Sequence, residues 1–80
     1  MGMSKLNNIF NKLKDCNDAG TKEAAETVYN LYLGALRGVM SCGEMMHYIN
    51  ENKIDGLVAK EYKSDYNDLV DLVGRMLTSQ

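Results

Sequence analysis

The sequence predicts an all-α protein: a hairpin or bundle of two to three helices, built around a long central helix. Three observations support this fold class. Proline, the strongest helix breaker, is absent from all 80 residues. Apolar residues recur three and four positions apart in three successive segments, and no segment alternates between apolar and polar residues as a strand does. A chain of this length forms one small domain, which we place at residues 1–80.

The first predicted helix begins at Ser4 and ends at Asp15 or Cys16. The Ser4 hydroxyl is suited to capping the first turn, and the apolar residues form one stripe along the helix. This stripe consists of Leu6, Ile9, Phe10, Leu13 and Cys16. Residues 17–20 have the composition of a turn, after which either Asp18 or Thr21 can cap the next helix.

The central helix is predicted from residue 21 to about residue 51, with apolar residues on two faces. One face has the spacing of a coiled-coil seam and consists of Val28, Tyr32, Ala35, Val39, Cys42, Met46 and Ile49. The second row consists of Tyr29, Leu33, Leu36 and Met40, and becomes polar at Glu44. So small a monomer is not expected to bury both faces. Other helices of the same chain, a second copy or a partner must therefore cover them.

Glycines interrupt this helix and allow two interpretations. Gly34 and Gly38 lie four residues apart, so they can form a smooth face on which a neighbouring backbone packs closely. Alternatively, Gly38 or Gly43 marks a kink or a break that divides the segment into two shorter helices. The sequence leaves both open.

The last predicted helix covers residues 57–78, with an apolar stripe of Val58, Tyr62, Tyr66, Leu69, Val73 and Met76. Ser64 or Asp65 can instead cap a fresh helix, which would leave a kink in this segment.

Composition excludes several classes of function. A formal net charge of −2 provides no basic field for nucleic acid. Arg37, Glu44 and His47 argue against a membrane span through the apolar central segment. Two cysteines, Cys16 and Cys42, do not resemble a secreted disulfide framework, so we expect free thiols and a cytoplasmic protein.

Glu44 and His47 are spaced as carboxylate–histidine pairs are in di-iron bundles, and a homodimer would supply two such pairs. The pattern is short, however, and it often arises by chance, so a surface pair near the end of the central helix is the preferred explanation. We therefore predict no metal site and no cofactor, and keep a metal-binding dimer as an alternative.

A second alternative places a small anion or nucleotide between subunits, held by Arg37 and neighbouring tyrosines. Catalysis is not expected. The sequence has a single histidine for general acid–base catalysis, and no candidate nucleophile has a plausible general base near it in the sequence.

The preferred prediction is a non-enzymatic helical protein that regulates or inhibits a protein partner and also associates with itself. Its size and composition fit a host-directed protein of a phage or mobile element. The expected contact surface is the first half of the central helix, at Tyr29, Leu33, Gly34, Leu36, Arg37, Gly38 and Met40.

Overall fold

A computed structural model describes residues 2–78, with side chains from residue 5 onward. Met1 and residues 79–80 of the expected domain lie outside the described residues. Within 2–78 the chain forms four α-helices and no strand, which confirms the all-α class. The helices are α1 (Gly2–Lys14), α2 (Ala19–Leu36), α3 (Cys42–Glu51) and α4 (Lys63–Thr78), with short 3-10 turns at Ile54–Leu57 and Lys60–Tyr62.

Helix α1 already includes Gly2, so Ser4 does not begin it as predicted. The Ser4 side chain lies outside the described side chains. The predicted stripe is nevertheless the packing face: Leu6 and Leu13 are fully buried, and α1 packs against both α2 and α4. Phe10 stacks on Tyr29 of α2, with ring centroids 4.3 Å apart and planes at 15°.

Hydrogen bonds connect the start of α2 to the segment before α4. Asp18 is the N-cap, and its Oδ2 accepts hydrogen bonds from the Thr21 backbone N–H (2.8 Å) and hydroxyl (2.7 Å). The Thr21 hydroxyl oxygen in turn accepts from the Ala59 backbone N–H at 2.9 Å. Gly20 lies against the Leu57 carbonyl so closely that a Cβ would collide with that oxygen. Thr21 is fully buried, so this contact is an internal tie between distant parts of the chain.

The predicted long central helix is wrong, because the chain stops at Leu36 and starts again at Cys42. Gly38 has a φ of 80°, a left-handed conformation in which glycine carries no steric penalty. The Gly38 N–H donates to the Ala35 carbonyl (3.1 Å) and the Val39 N–H to the Gly34 carbonyl (2.9 Å). These two bonds form a Schellman motif, which satisfies the last carbonyls of α2.

A capping box restarts the helix at α3. The Glu44 N–H donates to the Ser41 hydroxyl oxygen (3.1 Å), and the Ser41 N–H donates to Glu44 Oε1 (2.9 Å). The break interpretation of the glycines is therefore correct at Gly38, and Gly43 lies inside α3.

Helix α4 begins at Lys63 rather than at residue 57, so the predicted last helix is too long by two short turns. Ser64 and Asp65 lie inside its first turn and do not cap it. Lys53, immediately before the first of the two short turns, has a left-handed backbone conformation with a φ of 50°. The apolar stripe holds within α4, where Tyr66, Leu69 and Val73 are buried.

The core forms where α1, α2 and α4 pack together, and α3 packs against α2 and α4. Besides residues of α1, α2 and α4, the core includes Met45 and Ile49 of α3 and Ile54 and Val58 of the connecting segment. The radius of gyration of 11.7 Å equals the roughly 12 Å of an 80-residue globule. Other helices of the same chain thus cover most of the two apolar faces that a monomer of this size was not expected to bury.

Candidate interaction surface

Large exposed apolar side chains concentrate where α2 passes into α3. Val39 in the turn is 74% exposed, Leu36 at the end of α2 is 42% exposed and Tyr48 on α3 is 45% exposed. Among the described residues only one other large apolar side chain, Leu57 at 39%, reaches a similar exposure. Single exposed apolar residues are normal on protein surfaces, whereas a cluster of them typically marks a contact site.

A groove of about 740 Å³, which we call the junction groove, opens beside this cluster. Its apolar side chains are those of Val39, Met40 and Tyr48, and its acidic side chains are those of Glu44 and Glu51. Neither Lys nor Arg is among the described residues that line it. The groove lining therefore combines apolar and acidic side chains.

The seven residues predicted as an interface are separated by the break at Gly38. Tyr29 and Leu33 are half-buried and pack against the core of their own chain, and the Tyr29 ring is occupied by its stack on Phe10. A Cβ built on Gly34 would lie 3.9 Å from the Met40 methyl carbon.

Leu36, Arg37 and Gly38 are exposed at the end of α2, while Met40 is half-buried in the junction groove. The exposed surface then continues to Val39, which the sequence assigned to a buried seam, and to α3. The contact candidate has thus moved from the first half of the predicted long helix to the turn that divides it.

The anion site predicted at Arg37 between subunits stays a prediction. Arg37 is the exposed C-cap residue of α2, at the end of the helix where the dipole favours a cation. Tyr29 lies more than two turns earlier with its ring against Phe10, and Tyr32 is buried. Within one chain, Arg37 is not among the described lining residues of the junction groove.

Glu44 and His47 have separate partners. Glu44 is engaged in the capping box with Ser41, while His47 Nε2 lies 3.7 Å from Glu51 Oε1, a contact between two exposed side chains. Across residues 2–78 there is no group of three His, Cys, Asp or Glu side chains placed to hold a metal ion. Both residues of the predicted pair are exposed, as the surface interpretation requires, but they contact Ser41 and Glu51 rather than each other. The metal-binding dimer stays a prediction. Cys16 and Cys42 are both free thiols, the first buried and the second half-buried.

A second groove of about 550 Å³ lies between α3 and α4, and we call it the Tyr66 groove. Met46, Ile49 and Val70 provide apolar lining, with Asp55 and Tyr66 among its polar groups. Tyr66 is only 2% exposed, and its hydroxyl oxygen has no hydrogen-bond partner among the described residues. A buried hydroxyl left in this state costs about 1–3 kcal/mol. Burial, together with the nearby Asp55 charge, raises the pKa of Tyr66 to about 12.

Both grooves escaped the sequence analysis, but for different reasons. The break that creates the junction groove has a local signal, a glycine followed three residues later by Ser-x-x-Glu, which is a helix end followed by a capping box. The Tyr66 groove has no local signal, because it depends on how α3 and α4 pack.

The chain matches no protein-family model, no curated protein and no solved structure in the comparisons made. Function therefore has to be argued from the surfaces alone. No helix among residues 2–78 has the length and apolarity needed to cross a bilayer.

Proposed function

We propose that this chain is a non-enzymatic interaction protein, which regulates or inhibits a second protein by binding one of its segments in the junction groove. The observation that carries the proposal is the concentration of exposed apolar side chains at the turn between α2 and α3: Leu36, Val39 and Tyr48. Exposed aromatic and aliphatic side chains beside a groove are suited to anchoring a partner.

The charge of the groove lining selects the kind of partner. Glu44 and Glu51 line the junction groove together with its apolar side chains, without a lysine or arginine among the described lining residues. A segment that places apolar side chains in the groove and Lys or Arg beside these two glutamates meets both features at once. The occupant we propose is therefore a basic amphipathic helix of another protein.

Self-association stays a prediction. A symmetric dimer through this groove would bring Glu44 and Glu51 of one copy towards the same residues of the other, since two-fold interfaces use the same patch twice. Like charges at such a contact oppose it. The chain's overall acidity, with a formal net charge of −2, points the same way.

Site-specific photo-crosslinking tests the proposal in cells of the native host. A benzophenone amino acid replaces Tyr48, and in a matched control it replaces Leu57, which is exposed outside the junction groove. We expect the position-48 probe to give an adduct that the control does not, and mass spectrometry should map it to an apolar segment rich in Lys and Arg. Adducts only with a second copy, or with acidic segments, would contradict the proposal.

A direct binding measurement follows from the mapped segment. The chain contains no tryptophan, so Tyr48→Trp places a single tryptophan, excited selectively at about 295 nm, in the junction groove. The synthetic segment should shift its emission, while a peptide with Glu in place of each Lys and Arg should bind at least about tenfold more weakly. Val39→Ser should weaken binding, whereas Leu57→Ser should not. Equal binding of both peptides would remove the charge argument.

A further inference from the structure

The Tyr66 groove has the size and shape of a site for a small elongated molecule. Its described lining on α4 extends from Tyr66 to Thr78, which is about 18 Å along a helix that rises about 1.5 Å per residue. Its volume of about 550 Å³ lies within the range of about 300–1,000 Å³ that is usual for small-molecule sites. Met46 and Ile49 from α3 and Val70 from α4 give it an apolar wall.

The end of this wall nearest Asp55 carries a hydroxyl without a hydrogen-bond partner among the described residues, that of Tyr66. Its oxygen has almost no exposed surface, so a ligand head group reaches it by displacing the side chains that cover it. Asp55 is exposed and lines the same groove. Since Tyr66 keeps its proton at neutral pH, its oxygen can accept a hydrogen bond and its O–H can donate one. A ligand with a polar head would satisfy a group that the fold leaves unpaired.

The charges around the groove favour a cationic head. Arg75 and Asp71 pair with each other, with Nη2 and Oδ2 3.0 Å apart, so they offset one another. Asp55 supplies the remaining carboxylate of the lining. The Lys63 ammonium donates to the Asp55 backbone carbonyl at 2.8 Å, and it offsets part of this charge without lining the groove. An ammonium group at this end gains a carboxylate and a hydroxyl oxygen, whereas an anionic head would be repelled by Asp55.

We propose that the Tyr66 groove binds an elongated apolar amine. Its ammonium group donates to the Tyr66 hydroxyl oxygen and the Asp55 carboxylate, and its tail lies along the apolar wall. This site is on the opposite side of α3 from the junction groove, so binding to it can be measured with the junction groove empty.

Three probes with the same eight-carbon tail separate the contribution of the head group from that of the tail. Octylamine, 1-octanol and octanoate are titrated into ¹⁵N-labelled protein below their aggregation concentrations, and amide shifts are followed by NMR. We expect shifts on both sides of the Tyr66 groove. The affinity should fall in the order amine, alcohol, carboxylate, because only the amine matches the charge of Asp55.

Three variants assign the head-group contacts. Tyr66→Phe should weaken binding of the amine and the alcohol by about threefold to tenfold, because a hydrogen bond is lost. Asp55→Asn should weaken amine binding about threefold to fivefold and leave the alcohol nearly unchanged. Lys63→Gln removes the offsetting ammonium and should strengthen amine binding roughly twofold. Tyr48→Phe, on the outer face of α3, is the matched control and should change nothing.

Tyr66→Phe also gives a readout that does not involve the ligand. Because the removed hydroxyl has no partner, the variant alone should unfold at an equal or higher urea concentration, even though it binds the amine more weakly. A lower midpoint would mean that the hydroxyl holds the fold together. That result would overturn the proposal, as would octanoate binding as tightly as octylamine, shifts confined to other surfaces, or no binding by any probe.

Discussion

One of the two interpretations of the sequence gives Gly34 and Gly38 the same purpose, close packing, but in the structure the two glycines differ. Gly38 ends α2 with a φ of 80°, where a side chain costs about 1–2 kcal/mol. Gly34 lies inside α2 with only the Met40 methyl carbon near its missing Cβ, at 3.9 Å. A side chain at Gly34 would therefore make an ordinary van der Waals contact, while a side chain at Gly38 would strain the backbone.

Alanine at these two positions should change stability in opposite directions. Gly34→Ala should stabilise the protein by about 0.5–1 kcal/mol, since alanine is the better helix former. Gly38→Ala should destabilise it by about 1–2 kcal/mol. Urea unfolding monitored by circular dichroism measures both. If another chain packs its backbone on Gly34, as the close-packing interpretation requires, Gly34→Ala will instead destabilise the assembly and lower its solution mass.

Thr21 connects residues that are distant in sequence, and its hydroxyl is the connecting group. Thr21→Val keeps the shape but leaves the Ala59 N–H and the Asp18 carboxylate without that partner. We expect a loss of about 1–3 kcal/mol in the free energy of unfolding. Thr21→Ser retains the hydroxyl and should lose less. Equal losses for the two variants would show that the methyl group, and not the hydrogen bonds, matters here.

At the scale of the element, α3 depends on its capping box, because only Met45 and Ile49 of its ten residues are buried. Ser41→Ala should destabilise α3 by about 1 kcal/mol and should speed amide hydrogen exchange in α3 more than in α1 or α4. Glu44→Gln is the control, since glutamine also completes a capping box. Should Glu44→Gln have the larger effect, the carboxylate of Glu44 would have a role other than capping.

The sequence predicted helix type and packing faces well, and helix ends less well. Apolar spacing identified the buried stripe in α1 and α4 because that spacing directly reflects which side of a helix meets the core. The same spacing continues through the break at Gly38, since Val39 happens to fall on the seam although its side chain is exposed. The apolar spacing assumes an uninterrupted helix. A turn that keeps the three- and four-residue spacing on both sides therefore cannot be detected from that spacing.

The candidate surfaces were less predictable than the fold. Tyr48 lies outside the contact surface that the sequence predicts, yet it lines the junction groove. Tyr29 belongs to that predicted surface, but its ring is half-buried against Phe10. Whether a tyrosine is exposed depends on which other helix packs against it. The turn at Gly38 and the hydrogen bonds of Thr21 set how the helices pack, and a helical wheel of one segment does not show that packing.

For the whole molecule, Asp18 links folding to acidity. Two hydrogen bonds from Thr21, the hydroxyl first and the backbone N–H second, hold the pKa of Asp18 below its ordinary value of 3.8 despite partial burial. A lowered pKa in the folded state means that the stabilisation is complete above pH 3.8 and disappears as the pH falls through the folded value.

Asp18→Asn should therefore be less stable than the parent at neutral pH, and the difference should shrink in acid as the pH falls below 3.8. Asparagine still caps a helix, so the variant should fold. Urea unfolding at neutral pH and in acid measures the difference. A gap that persists in acid would show that the charge of Asp18 contributes nothing to the tie at the start of α2.

The two grooves share one wall. The inner face of α3, with Met46 and Ile49, lines the Tyr66 groove, and its outer face, with Glu44 and Tyr48, lines the junction groove. A molecule that displaces this ten-residue helix from one side changes the free energy of binding on the other. Thermodynamic linkage makes that coupling reciprocal. If octylamine in the Tyr66 groove moves α3, it should therefore change the affinity of the junction groove for the mapped segment, and the segment should change the affinity for octylamine by the same factor.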